Sequence, residues 1–167
     1  MSKNEFEVEQ KYSCSRPEEM IERAKSLGFL VVSEHEENDT YFSDALGGFI
    51  DTNTCLRLRS KAGGAAVTLD YKGPSSDNSV GTLAKIERNV TTDGEGAKQL
   101  TEILYALGYP TQVSVEKHRI TLEKTTSIGS LRLFIDRLIG NLTYVEFEFT
   151  LDDQENAVEA EQLINSH

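Results

Sequence analysis

Glu5-Phe6-Glu7-Val8-Glu9-Gln10-Lys11-Tyr12 puts acids and a lysine at odd positions and mostly apolar residues at even ones. Successive side chains of a strand point to opposite faces, so this stretch predicts a strand with one charged and one apolar face. The same period of two returns along the chain. In residues 56–59, Arg57 and Arg59 share a face and oppose Leu56 and Leu58. In 67–72, Thr68, Asp70 and Lys72 oppose Val67, Leu69 and Tyr71. Lys85, Glu87 and Asn89 share a face in 84–90, and Lys117, Arg119 and Thr121 share one in 115–122. In 131–136, Arg132, Phe134 and Asp136 oppose Leu131, Leu133 and Ile135. In 144–151, Tyr144, Glu146, Glu148 and Thr150 oppose Val145, Phe147, Phe149 and Leu151.

A half-buried antiparallel sheet alternates polar and apolar residues in this way. Here, however, the charges sort by strand. Carboxylates gather on the first and last strands, bases on those between. Like charges two apart on one face repel unless a ligand or a neighbouring strand neutralises them. Several strands with this pattern predict one shared charged surface. A closed or nearly closed barrel would collect it in the lumen, with the apolar outer faces under helices. Lys11, Arg57, Arg59, Lys72, Lys85, Lys117 and Arg119 would then line the lumen, with Asp70 and Arg132 as further candidates. Buried unpaired charge costs several kcal/mol per ion, so water, metal and a polyanion are the natural fillers.

Three helices are expected. The first follows Ser15 as N-cap, with Pro17 in its first turn, and ends at Gly28. The second starts after Asp93 and carries Ala97, Leu100, Leu104 and Leu107 on one face, before Gly108 and Pro110. The third runs from Gln154 to about Ile164. Residues 73–81 read as a loop, and Gly47-Gly48 and Gly63-Gly64 as turns.

The 167 residues are expected to form one domain, 1–167, with a net charge of -11 that argues against a nucleic-acid partner. No apolar run is long enough to span a membrane, and the first residues lack the apolar stretch of a signal peptide, so a cytosolic, cytoplasmic protein is expected. Cys14 and Cys55 cannot build a disulfide scaffold or a structural zinc site. Cys55 reads as a small packed residue and His118, facing away from Lys117 and Arg119, as a surface or packing histidine. No Ser-His-Asp pattern, P-loop or GxGxxG is present.

The ordered motifs resemble the CYTH superfamily, the triphosphate tunnel metalloenzymes. Glu7-Val8-Glu9-Gln10-Lys11 matches its ExExK signature, and Asp39-Thr40-Tyr41-Phe42 is similar to its DxY(F/Y) strand. Leu56-Arg57-Leu58-Arg59 looks like its LRxR strand, and Leu69-Asp70-Tyr71-Lys72-Gly73-Pro74 resembles the LTYKGP element of the class IV adenylate cyclase branch. Lys117-His118-Arg119 resembles its KxR strand. Asp136-Arg137-Leu138-Ile139-Gly140 and Val145-Glu146-Phe147-Glu148 resemble its ending. The branch's Arg-Glu-Glu element reads Lys85-Ile86-Glu87-Arg88-Asn89 here and keeps charge at Lys85 and Glu87.

The resemblance implies an α+β fold: an antiparallel eight-stranded β tunnel barrel with flanking helices. It implies a divalent-metal-dependent enzyme acting on a triphosphate small molecule. Cyclisation of ATP to cyclic AMP and pyrophosphate is the first expectation. Hydrolysis of inorganic triphosphate, thiamine triphosphate or a nucleoside triphosphate is the alternative, and a non-catalytic polyphosphate- or nucleotide-binding module the second. Arg grips phosphate through forked hydrogen bonds and Lys as a point charge. Substrate binding is thus assigned to Lys11, Arg57, Arg59, Lys72, Lys85, Lys117 and Arg119, and catalysis to Lys11, Arg57, Arg59, Lys72 and Glu87. Mg²⁺ or Mn²⁺ prefers carboxylate oxygens, which assigns the metal to Glu7, Glu9, Asp136, Glu146 and Glu148. Loss of Arg57 or Arg59 is expected to leave stability unchanged or higher, by relieving like-charge repulsion.

Overall fold

The computed structural model describes residues 6–74, 87–151 and 156–166. Eight strands and four helices follow in the order β1 (Phe6–Ser13), α1 (Pro17–Ser26), β2 (Leu30–Phe42), α2 (Gly48–Asp51), β3 (Cys55–Lys61), β4 (Val67–Lys72), β5 (Glu87–Thr92), α3 (Gly94–Ala106), β6 (Thr111–Thr126), β7 (Gly129–Leu138), β8 (Thr143–Leu151) and α4 (Ala157–Asn165). The strands form one eight-stranded sheet in the order β1-β8-β7-β6-β2-β3-β4-β5. Each ladder with a described register is antiparallel. The α+β class, the eight antiparallel strands and the flanking helices are those the sequence implies.

Among the described residues the contacts divide the chain into two compact units, residues 6–35, 117–151 and 156–166, and residues 36–74 and 87–116. In the first, β1, β8, β7 and the later part of β6 turn one apolar face to one core. Val8, Leu122, Leu131, Leu133, Ile135, Phe147 and Phe149 are buried there, together with Ala24 of α1 and with Ala160 and Ile164 of α4. The helices therefore cover the apolar face, and the charged residues of the same strands lie on the other. In the second unit Phe42, Leu58 and Leu104 form a smaller core, with Leu56, Leu69, Ala97 and Leu100 packed against it. Here α3 covers the apolar face of β3 and β4.

The helix boundaries depart from the sequence reading in instructive ways. The N-cap of α1 is Arg16, with no side-chain cap, and not Ser15. Pro17 occupies the first helical position, where its fixed φ starts the helix, and this leaves Ser15 one residue too early to cap. Gly28 ends the helix with a φ of +92°, a conformation that glycine adopts without steric cost. Asp93 caps α3 as expected, its Oδ1 accepting from the Gly96 N–H at 2.8 Å. Leu107, expected on the buried stripe, is the C-cap and is 67% exposed. The C-terminal helix begins at Ala157, and Gln154 lies outside the described residues. Gly48 opens a single helical turn, α2, in place of a plain turn.

The largest surprise is β2. Only its end, the Asp39-Thr40-Tyr41-Phe42 segment, is legible as a strand, yet it runs for 13 residues. Its buried positions hold Glu37, Asp39 and Phe42, while Leu30, Val31 and Val32 are exposed. A reading that looks for apolar residues at buried positions cannot find such a strand.

Candidate active site

In the first unit, antiparallel pairing of β1 with β8 sets Glu9 directly opposite Glu148 and Lys11 directly opposite Glu146. Glu7 lies two residues before Glu9 and so shares its face. Glu7, Glu9 and Glu148 each bring one carboxylate oxygen to within 4.8 Å of the others. Like charges directly opposite on a ladder destabilise it. Three converging hard oxygen donors are the set that a divalent cation of the Mg²⁺ or Mn²⁺ kind takes, so the residues fit such an ion.

The other two carboxylates assigned to metal are engaged by bases. Glu146 accepts from the Lys11 Nζ at 3.0 Å. Burial acts to raise its carboxyl, but the charge and hydrogen bond of Lys11 outweigh that and hold it below the ordinary value. Asp136 accepts from Arg119 through Nε at 2.5 Å and Nη2 at 2.6 Å, and from the Lys117 Nζ at 3.1 Å. Burial again works to raise the carboxyl, and the Arg119 hydrogen bonds with the Arg119 and Lys117 charges pull it below its ordinary value. Arg119 also lies over the Phe134 ring, 4.4 Å from its centroid. On the far side of Glu148, Arg132 approaches to 3.5 Å and also reaches Glu123 at 3.7 Å.

In the second unit the pairing of β3 with β2 and β4 gives each arginine a carboxylate. Arg59 stands opposite Asp39, and Arg57 opposite Asp70. Arg59 donates to Asp39 through Nε at 2.7 Å and Nη2 at 2.6 Å, and its Nε lies 3.3 Å from Glu37. Arg57 donates to Asp70 at 3.0 Å, and its Nη1 lies 3.8 Å from Asp39. Lys72 stands opposite Glu87, at 2.7 Å. Burial disfavours the charge of Arg57, but Asp39 and Tyr41 outweigh it and keep the guanidinium protonated. Burial also raises the Tyr41 hydroxyl and the Cys55 thiol. The neutral Cys55 thiol is a packed group and a poor nucleophile.

All the assigned residues except Lys85, which lies outside the described residues, are on the charged faces that the alternation predicts. His118 is apart from them, 3.0 Å from Glu34. Two residues escaped the sequence reading. Asp39 and Glu37 are buried on the charged face, and Asp39 is the deepest of its carboxylates at 0% exposure. Asp39 lies in the Asp39-Thr40-Tyr41-Phe42 segment, but nothing in the local pattern says which base it meets.

The CYTH domain model matches residues 5–166. The chain belongs to the CYTH family. CYTH proteins are in general metal-dependent enzymes acting on triphosphate substrates. A Methanocaldococcus jannaschii protein named "putative adenylate cyclase" is 28% identical over 148 residues, 89% of this chain and 79% of that protein. Among solved structures, a Pyrococcus horikoshii protein superposes with a TM-score of 0.75 at 23% identity, covering 96% of this chain and 87% of its own. A Hippeastrum protein named "putative adenylyl cyclase", and described as revealing a dominant triphosphatase activity, has a TM-score of 0.65 at 15% identity. It covers 97% of this chain and 85% of its own. Both share the CYTH fold. Among the described residues no helix is long and apolar enough to cross a membrane.

Proposed function

We propose that this CYTH protein is a divalent-metal-dependent enzyme of the class IV adenylate cyclase type, converting ATP to cyclic AMP and pyrophosphate. The observation that carries it is the Glu7, Glu9 and Glu148 cluster, with Glu9 and Glu148 directly opposed on one ladder. A protein that only bound polyanion would gain nothing from opposed acids. The archaeal relative's name supports the cyclase reading, as does the Leu69 to Pro74 element.

Glu7, Glu9 and Glu148 would hold Mg²⁺ or Mn²⁺, with Asp136 and Glu146 as the further ligands the family pattern implies. A bound ion neutralises phosphate oxygens and lowers the pKa of an attacking hydroxyl. The chain's own side chains do the rest. Arg57, Arg59 and Arg119 fork onto phosphate oxygens, while Lys11, Lys72, Lys85 and Lys117 supply point charge. Bases of this kind meet the charge that builds on a leaving pyrophosphate. The ribose 3′-oxygen forms a bond to the α-phosphorus, the α–β bridging bond breaks, and the hydroxyl proton passes to solvent. Glu87, held by Lys72, orients the attacking hydroxyl. A cytoplasmic setting supplies the ATP.

The second reading is a triphosphatase in which water takes the place of the ribose hydroxyl. The activity described for the Hippeastrum protein favours it, and inorganic triphosphate needs no organic pocket. One panel separates the readings: phosphate release from ATP, inorganic triphosphate and thiamine triphosphate with Mg²⁺ or Mn²⁺, beside a cyclic AMP assay. Cyclic AMP with equal pyrophosphate supports the cyclase. Orthophosphate without cyclic AMP supports the triphosphatase. Binding without turnover of any of the three removes the enzyme reading.

A further inference from the structure

The two units carry the same charged arrangement on different strand pairs. In one, Arg57 and Arg59 lie two apart on β3, and Asp39 of β2 stands opposite Arg59. In the other, Lys117 and Arg119 lie two apart on β6, and Asp136 of β7 stands opposite Arg119. Each aspartate takes the Nε and Nη2 donors of its arginine, and each lies near the second base. Both aspartates are buried, at 0% and 3% exposure. A buried ion pair contributes little net stability, because desolvation cancels much of the attraction. Its value is therefore sought in the orientation it imposes.

We propose that Asp39 is a positioning residue that fixes the Arg59 guanidinium, and more loosely that of Arg57, for phosphate binding. The guanidinium is planar and rigid, so holding its Nε–Nη2 edge also sets the direction of its Nη1–Nη2 edge. A phosphate can fork onto that second edge without displacing the carboxylate. The neighbours reinforce the arrangement, with the Tyr41 hydroxyl 3.4 Å from the Asp39 Oδ2 and Glu37 beside the Arg59 Nε. The role rests on the triphosphate reading above and adds a residue that never touches the ligand.

Charge alone and positioning predict opposite signs. Asp39→Asn removes a negative charge beside the arginines, so simple electrostatics would tighten the binding of a polyanion. Positioning predicts that it loosens. The test is calorimetric titration of the full chain with inorganic triphosphate. Asp39→Asn is expected to weaken the Kd about tenfold or more, the scale of one charge-assisted hydrogen bond. In an Arg59→Lys background, which keeps the charge but has no fork to orient, the same change should move Kd about twofold or less. An unchanged or tighter Kd in Asp39→Asn overturns the proposal, and so does equal weakening in both backgrounds. Should Asp39→Asn fail to fold, Asp39→Glu decides, since it keeps the charge and misplaces it by one methylene. Weaker binding with a native melting curve supports positioning, and a wild-type Kd overturns it. Wild-type protein that does not bind triphosphate removes the underlying reading and this one with it, a result distinct from any effect of the variants.

Discussion

Glu9 stands directly opposite Glu148 in the β1–β8 ladder, a like-charge pair at a cross-strand position. Arg132, 3.5 Å from Glu148, meets part of that repulsion from the β7 side. Glu7 adds a third carboxylate from β1. Such a cluster is stabilised by a cation, and its energetics can be read with and without one.

Glu9→Gln and Glu148→Gln keep the volume and remove one charged oxygen donor. In metal-free buffer both should be as stable as wild type or more stable, by about 0.2–1 kcal/mol. An ion at one hundred times its Kd stabilises wild type by about 2.7 kcal/mol, so Mg²⁺ or Mn²⁺ should raise its melting temperature. That rise should shrink in both variants, and half-maximal activity should need more metal. Wild-type metal dependence in both would show that the ion binds elsewhere.

Removing Arg59 takes two short hydrogen bonds from Asp39, which is fully buried. Breaking a buried pair in this way costs about 3–5 kcal/mol. Arg59→Ala should therefore lower stability markedly in urea denaturation, and Arg57→Ala less, since its partner Asp70 is partly exposed. This reverses the expectation, drawn from like-charge repulsion, that stability would hold or rise. The repulsion is already met by carboxylates on β2 and β4. Both variants should also weaken triphosphate binding by about 1.5–3 kcal/mol. Equal stability losses in the two would contradict the burial argument.

Asp136 gives an acid-side signature. Burial would raise its carboxyl, but Arg119 and Lys117 hold it below its ordinary value of 3.8. Its folded pKa is thus lower than its unfolded one. The stability it contributes is complete above the unfolded value and is lost as pH falls through the folded value. Asp136→Asn should cost most near neutral pH, and the gap to wild type should close as pH drops below about 3.8. A gap that stays constant through acid, in urea midpoints measured across pH, would contradict an ionised Asp136.

Leu133 tests the separation of the two sheet faces. It is 0% exposed in the larger core, between Arg132 and Phe134 on the charged side. Leu133→Ala should destabilise by about 2–5 kcal/mol through lost burial and a cavity. Well below its melting temperature, KM for the triphosphate substrate should match wild type. A changed KM would mean that the apolar core sets the geometry of the charged face more tightly than two-sided strands imply.

Much of this architecture is legible in the residues. Alternation assigns Glu7, Glu9 and Lys11 to one face and Val8 to the other, and burial agrees. The same holds for Arg132 and Phe134 against Leu131, Leu133 and Ile135, whereas Asp136 is buried on the charged face. The helices at Pro17–Ser26 and Gly94–Ala106 follow from proline, aspartate and glycine placed where helices begin and end. The part of β2 before Asp39 escapes alternation, because Leu30, Val31 and Val32 are exposed there and the buried position carries Glu37.

Which charges meet was beyond the sequence. The side-chain period of a strand is two, so sliding one strand past its neighbour by two residues leaves every residue on its own face. Alternation therefore allowed Glu9 to oppose either Glu146 or Glu148, and gave Asp39 no particular arginine. The sequence by itself determined the two-faced strands, the sorting of acids and bases among them and the CYTH signature. The tertiary structure alone decided the register that pairs Glu9 with Glu148, Lys11 with Glu146, Asp39 with Arg59 and Asp136 with Arg119. That choice belongs to turns, helix packing and the full hydrogen-bond ladder, which act on the strands together and leave no mark in any one of them.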